Sequence, residues 1–305
     1  MGRMLPTLRQ LHYLKLLNEH KSFVAAAEAA FVSQPALSSG IAELEKALGV
    51  RLIDRSRGQV IMTAIGEDIL RRAEDILART EDLVEAAKGA NSPLAGRFRL
   101  GVIPTIAPFL LPQALLKLRQ EFPQLRLFLR EDQTSRLIAS LKSGSLDAAV
   151  IALPYDLSGL DHAFICKDEI LAVMPKDHPL SHADQVEPDA LKSTELILLE
   201  DGHCLRDHAL AACQWNAPGA AEVNQSLNGG FAATSLNTLV QMVDAGLGVS
   251  LLPGMAIESG ITDRSSVAIR PLHSDHAYRD IVVIWRAGSS RTAEARLLAG
   301  VIGAA

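Results

Sequence analysis

The spacing of apolar residues changes character once along this 305-residue chain, at Asn91-Ser92-Pro93. Before that point they recur at the three-and-four steps of amphipathic helices; after it, short β-rich runs alternate with helical stretches. A proline disfavours helical geometry in the residue ahead of it, so a helix reaching Pro93 stops there. The length also exceeds what one hydrophobic core usually supports. The chain is therefore predicted to fold in two parts, a mainly helical N-terminal part and an α/β remainder.

In the N-terminal part, Leu8, Leu11, Leu14 and Leu17 mark a first helix, and Phe23, Ala26, Ala27 and Ala30 a second after Ser22. Ser33 is placed to cap a third, with Pro35 in its first turn where a missing N–H is harmless. Leu37, Ile41, Leu44 and Leu48 form its inward stripe, which leaves Gln34, Ala36, Ser38, Ser39 and Ala42 outward. Two strand-like runs, 50–55 and 59–63, flank Ser56-Arg57-Gly58 and read as a wing. Residues 1–63 are thus expected to form a winged helix-turn-helix. A major groove admits one such helix, whose first turns meet base edges while basic groups neutralise phosphates. The candidate DNA-facing residues are Ser33, Gln34, Pro35, Ala36, Ser38 and Ser39, with Arg55 and Arg57 of the wing reaching the backbone or minor groove. The chain's net charge of −5 excludes a protein basic throughout, yet residues 1–63 carry eight Lys or Arg against five acids. DNA binding needs only such a local surface.

A long helix is predicted from Thr63 to Gly89, within a linker of residues 64–92. Ile69, Ala73, Ile76, Leu83 and Ala87, with Thr80 interrupting, follow a heptad. That seam fits either a partner helix, making a dimer, or the chain's own N-terminal domain.

From residue 93 to 305, candidate strands at 98–103, 125–129 and 146–151 enclose helices at 110–121 and 135–142. This order implies a parallel sheet whose ligands sit at the carboxyl ends of its strands. The alternation resumes from Glu169, with strands at 171–174, 195–199 and 248–252, a helix at 235–245, a strand at 280–286 and a helix from Thr292. Two α/β lobes with a cleft between them are expected, lobe I from about 93–168 and 272–305 and lobe II from about 169–271.

The set Ala25-Ala26-Ala27, Ser33-Gln34-Pro35-Ala36-Leu37-Ser38, Ile41, Leu44-Glu45, Leu48-Gly49, Leu52, Arg55, Thr63 and Gly66 resembles the LysR-type regulators. The run from Leu239 to Val249, with Leu252-Pro253, is similar to that family's second lobe. The resemblance implies a transcription regulator of double-stranded promoter DNA, with a dimerising linker helix and a two-lobed regulatory domain like periplasmic binding proteins. It further implies a homodimer or homotetramer working with RNA polymerase.

Three cysteines, Cys166, Cys204 and Cys213, are too few for a disulfide scaffold. With no apolar run of bilayer length and no signal-peptide pattern, a cytoplasmic location is expected, where thiols stay reduced. Cys204 lies in Glu200-Asp201-Gly202-His203-Cys204-Leu205-Arg206-Asp207, with Cys213 nine positions on. Cationic neighbours and helix starts lower a thiol's pKa, and His203, Arg206 and a helix beginning near Cys204 are the expected agents. A thiolate oxidised by peroxide becomes a sulfenic acid that a second thiol captures, and Cys213 is the candidate. Helical residues 204–213 would set the two about 13 Å apart along the axis, whereas a disulfide needs Cα atoms within about 7 Å. Bridging them requires refolding, for which the Asn-, Ala- and Gly-rich segment 215–230 is suited. Cys166, on the apolar Phe164-Ile165 run, reads as a core residue.

Gly202-His203-Cys204-Leu205-Arg206-Asp207 with Cys213, Ile103-Pro104-Thr105, Phe109-Leu110-Leu111-Pro112 and Gln133-Thr134 resemble the peroxide-sensing branch of the family. That resemblance implies Cys204 as the peroxide-reactive thiol and Cys213 as its partner. It implies a pocket of Thr105, Thr134, Gly202, His203 and Cys204, tuning by Arg206 and Asp207, and a reductant of the glutaredoxin or thioredoxin type. Thr105 and Thr134 also fit simple helix caps. Two rivals stand beside this reading: a LysR-type regulator binding a small organic effector in the interlobe cleft, and a thiol peroxidase. Whether Cys204 reacts, and whether peroxide turns over, separates them. No phosphate loop, nucleophile elbow or metal spacing is present, so neither a cofactor nor another enzymatic chemistry is expected.

Overall fold

A computed structural model describes residues 5–54, 60–89, 94–200, 202, 204–213 and 232–304. Its contacts divide the chain into two compact units, Met1–Asn91 with Lys142–Ser145, and Ser92–Leu141 with Leu146–Ala305.

In the first unit, α1 (Leu8–His20), α2 (Phe23–Ala29) and α3 (Gln34–Leu48) precede a small antiparallel hairpin, β1 (Ile53–Asp54) and β2 (Ile61–Met62). A capping box of Thr7 and Gln10 starts α1, satisfying two otherwise orphaned amides. Leu14, Leu17, Leu37, Ile41, Leu44 and Leu52 are fully buried at the shared core. Glu45 ties the base of the hairpin to α3, its carboxylate accepting from the amides of Leu52 at 2.7 Å and Ile53 at 3.3 Å. Thr63 donates to the Arg51 carbonyl and accepts from the Gly66 amide. Only glycine fits at 66, because a Cβ there would meet the Leu52 carbonyl oxygen at 2.1 Å. Helix α4 (Ala64–Gly89) follows. Its heptad seam is divided: Ile69 and Ala73 pack into the N-terminal core, whereas Ile76 and Leu83 are exposed.

The second unit is built on a seven-stranded mixed sheet. β3 (Gly96–Val102) pairs in parallel with β4 (Leu125–Glu131) and β5 (Ala148–Leu153). Helices α5 (Ala107–Glu121) and α6 (Thr134–Lys142) make the crossovers. The strand expected at 171–174 is the end of a sixteen-residue strand, β6 (Leu160–Pro175), so a lobe boundary at 168/169 falls inside a continuous strand. Apolar residues on both halves of β6 allow it to serve two cores. Its first half pairs with β11 (Tyr278–Arg286), and its second with β9 (Ser250–Pro253) and β10 (Val267–Pro271).

Around that second half, β7 (Leu198–Leu199) and β8 (Ala232–Ala233) form a short parallel pair. Helix α7 (Cys204–Ala212), α8 (Leu236–Asp244) and α9 (Gly254–Glu258) complete the second lobe, and α10 (Thr292–Gly303) returns to the first. The expected strand 195–199 shrinks to two residues, Leu196 making only an isolated bridge to Val249. No helix among the described residues is long and apolar enough to cross a membrane.

Candidate functional sites

The first candidate surface is the start of α3. Ser33, Gln34, Pro35, Ala36 and Ser39 are exposed and Ser38 is partly so, whereas Leu37 and Ile41 behind them are fully buried. Ser33 holds the N-cap position but makes no side-chain capping bond. The first amides of α3 are consequently left without that acceptor, the arrangement that favours an anionic partner. Ser39 is engaged at 3.4 Å with Glu43, which also accepts from Gln10. Arg55 and Arg57 lie outside the described residues.

The second site forms where three helices start. α5 begins after β3, α6 after β4 and α7 after β7, so loops at the carboxyl ends of three strands meet. Ile103, Pro104, Thr105, Gln133, Thr134, Gly202 and Cys204 line a cavity there, with about 10 Å³ open to the centre of a water-sized sphere. That is the room of one very small molecule. Gly202 adopts φ +92°, and a Cβ on it would meet the Gln133 amide nitrogen at 2.6 Å. The backbone conformation favours glycine there, and a side chain would also have to push the Gln133 amide aside.

Neither threonine serves as a helix cap. Ile106 holds the α5 cap position, and the Thr105 hydroxyl accepts instead from Arg279 Nη1 at 2.9 Å while its carbonyl accepts from Nη2 at 3.0 Å. Arginine only donates, so the Thr105 proton is free to turn toward the cavity. The Thr134 hydroxyl, on a residue 1% exposed, makes no well-formed hydrogen bond among the described residues, though it lies near enough the Cys204 thiol and the Tyr155 hydroxyl to lower both their pKa values. A buried hydroxyl without a partner is costly unless a small molecule supplies the bond.

Arg279 is the residue that sequence reasoning missed. It is 1% exposed, and its Nε donates to Asp168 at 2.8 Å, residues directly opposite across β11 and β6. The other Asp168 oxygen accepts from the Met255 amide. The signal was an arginine, followed by Asp280, just ahead of the apolar run Ile281-Val282-Val283-Ile284-Trp285. Local spacing could not say where it pointed.

The electrostatics correct the expectation of a depressed Cys204 pKa. Cys204 does open α7, but it is 3% exposed and burial pushes its thiol above the ordinary value. Arg279 and the hydroxyls of Thr134 and Thr105 pull downward, and Asp207 adds a smaller upward push. Arg206, assigned that tuning from its position beside Cys204, reaches back to the Leu199 carbonyl at 3.4 Å, and the cation acting on the thiol is Arg279. His203 and the segment 215–230 lie outside the described residues. Tyr155 lies near the site, its hydroxyl pushed up by burial and by Cys204 and Asp207.

Cys213 ends the same helix in a different setting. It is 2% exposed among Ile170, Leu198 and Leu251, and burial alone pushes its pKa up to about 12. All three cysteines are free, and nine helical residues hold Cys204 and Cys213 apart. Cys166, expected in the core, is half-buried, and burial raises its pKa as well.

Residues 8–67 match the bacterial regulatory helix-turn-helix protein, lysR family, and residues 91–305 match the LysR substrate binding domain. The HTH-type transcriptional regulator EstR of Acinetobacter baylyi is 43% identical over 84% of this chain and 82% of its own. A probable hydrogen peroxide-inducible genes activator of Mycobacterium leprae is 39% identical over 98% and 94%. Full-length OxyR from Pseudomonas aeruginosa superposes with a TM-score of 0.77 at 32% identity, covering 98% of both chains. The chain belongs to the LysR family of bacterial helix-turn-helix transcription regulators.

Proposed function

We propose that the chain is a DNA-binding transcription regulator that senses hydrogen peroxide through a reversible Cys204–Cys213 thiol–disulfide switch and controls antioxidant genes. The observation that carries this reading is the cavity where Thr105, Thr134 and Gly202 meet Cys204, with an unpartnered hydroxyl in its wall. The cavity has room for about one water-sized molecule, far below what an organic anion needs. Hydrogen peroxide offers only hydrogen bonds, and two hydroxyls beside a sulfur are the groups that hold and align it.

The Cys204 thiolate attacks one peroxide oxygen and the O–O bond breaks. Sulfur loses two electrons and becomes sulfenic acid, while the second oxygen leaves as hydroxide and takes up the thiol proton as water. The Arg279 charge favours the thiolate, and the Thr105 hydroxyl it orients donates to the reacting oxygen. Cys213 then displaces the sulfenic hydroxyl as water and closes the disulfide. Closure requires α7 to unwind, because a straight helix keeps the two Cα atoms about 13 Å apart. A thiol reductant of the glutaredoxin or thioredoxin type returns two electrons and two protons.

Output runs through Ser33, Gln34, Pro35, Ala36, Ser38 and Ser39 on promoter DNA, with Arg55 and Arg57 on the wing and RNA polymerase as the downstream partner. Exposed Ile76 and Leu83 on α4 supply the seam of a homodimer, which pairs again as a homotetramer. Each switching event consumes one peroxide, and the reading assigns that event to signalling rather than to peroxide turnover. Peptide mass mapping after peroxide treatment tests the reading: a Cys204–Cys213 disulfide is expected, and Cys204→Ser abolishes peroxide-dependent transcription. A free Cys204 thiol after treatment, or an unchanged response in Cys204→Ser, refutes it.

A further inference from the structure

His208 sits one turn into α7, is 6% exposed, and has no part in the chemistry above. Its Nδ1 lies 2.6 Å from the Cys204 carbonyl oxygen, and its Nε2 lies 2.5 Å from the carbonyl oxygen of Leu153, 55 positions away. Carbonyls only accept, so a neutral ring donates to one of these two oxygens through whichever nitrogen carries its proton, and to both only when doubly protonated. Both acceptors lie at the first lobe's core, where Cys204 is buried and Leu153 packs alongside. Leu153 ends β5 in the first lobe's sheet, whereas Ala209, Leu210, Ala212 and Cys213, which follow His208, pack in a second-lobe core. The Cys204 contact spans four residues, so it exists only while the first turn of α7 is helical.

We propose that His208 is a positioning residue, a latch whose ring, set between the Cys204 and Leu153 carbonyls, holds the first turn of α7 to the end of β5 and sets how readily the segment from Cys204 to Cys213 unwinds. Its consequence for signalling rests on the Cys204–Cys213 switch, because closing that bridge requires α7 to unwind and the latch holds the helix that unwinds. The latch itself is a property of the reduced chain and is measurable without peroxide.

Cys213, just after α7, is 2% exposed at the floor of a surface pocket with Glu187, Lys192 and His273, so its labelling by a thiol reagent rises when local opening widens that access. Iodoacetamide labelling of the reduced full-length chain, read by peptide mass spectrometry, therefore reports the opening. His208→Phe keeps a ring and removes every ring N–H, and Cys213 labelling is expected to rise about tenfold, the scale of one or two lost hydrogen bonds. His208→Gln restores an amide donor and should label more slowly than His208→Phe. Cys166, away from α7, should label at the wild-type rate in both. His208→Leu, which also lacks a donor, takes the place of His208→Phe if that variant does not fold.

Unchanged Cys213 labelling in the donor-free variant overturns the latch, as does a parallel rise at Cys166, which would mean general destabilisation. Gln and Phe variants labelling equally fast overturns it too, because packing rather than donation would then be at work. Peroxide closure of the disulfide is expected to be about tenfold faster in His208→Phe. A wild-type chain that forms no disulfide, with labelling behaving as expected, removes the switch and leaves the latch standing. A disulfide that forms while labelling ignores His208 does the reverse.

Discussion

The two ends of α7 carry the same functional group at nearly the same exposure, 3% for Cys204 and 2% for Cys213, and treat it oppositely. Cys204 is set against a buried guanidinium, two hydroxyls and a small cavity; Cys213 is set among aliphatic side chains with burial as the sole influence on its pKa. Exposure therefore says little about a thiol's reactivity, and the polar groups that share its burial say most. One end is built to meet an oxidant and the other to wait until the helix opens.

Removing either thiol should break the comparison most completely. In Cys213→Ser, peroxide should leave a sulfenic acid on Cys204, trapped by a sulfenate-specific probe and counted by mass spectrometry. In Cys204→Ser, Cys213 should oxidise far more slowly than Cys204 does in the wild type, because a thiol with a pKa of about 12 exposes almost no thiolate near neutrality. Comparable rates at the two sulfurs would end the distinction.

Arg279→Leu should come next. It deletes the cation nearest Cys204 and strands Asp168, a residue 4% exposed. Breaking a buried pair from one side costs about 3–5 kcal/mol, measurable by urea denaturation, and peroxide oxidation of Cys204 should slow at least about tenfold. Asp168→Asn in the same background should recover part of the stability and none of the rate.

The pH dependence of stability sharpens the contrast at the other end. Cys213 has a folded pKa of about 12, against about 8.5 for an unfolded thiol. Below the lower value both states are protonated and the contribution is intact. Above it the unfolded chain ionises first, so stability falls by about 1.4 kcal/mol per pH unit until the folded thiol ionises too. Cys213→Ala should flatten denaturation midpoints between about pH 9 and 12; equal slopes in both proteins would contradict the burial argument.

The smallest effect is expected at Thr134. Thr134→Val removes an unpartnered hydroxyl, so stability should change by less than about 1 kcal/mol or rise. Cys204 oxidation by peroxide should nonetheless slow several-fold, and by less for a bulky alkylating reagent that does not use the cavity. Equal slowing for both reagents would assign Thr134 to general packing.

The N-terminal fold was legible residue by residue because helix periodicity and capping are properties of neighbours in the chain. Leu8 to Leu17, the Pro35 start of α3 and its buried Leu37, Ile41 and Leu44 all needed only local spacing. The crossover strands and helices around β3, β4 and β5 were legible for the same reason. Where an apolar run served two cores, as in β6, spacing located the strand but not its length. The α4 heptad likewise announced an apolar seam without saying that Ile69 and Ala73 are used within the chain while Ile76 and Leu83 are left exposed.

By itself the sequence determined the helix-turn-helix, the α/β order and the presence of a cysteine pair in a helix-starting motif, since each is written in residues close together. Only the tertiary structure decided what surrounds those cysteines. Arg279 reaches Thr105 across 174 positions, and Asp168 neutralises it from an adjacent strand. Burial raises the Cys204 pKa where flanking charges alone argued for the opposite. Desolvation and long-range pairing depend on which segments pack together, and that information is distributed over the whole chain.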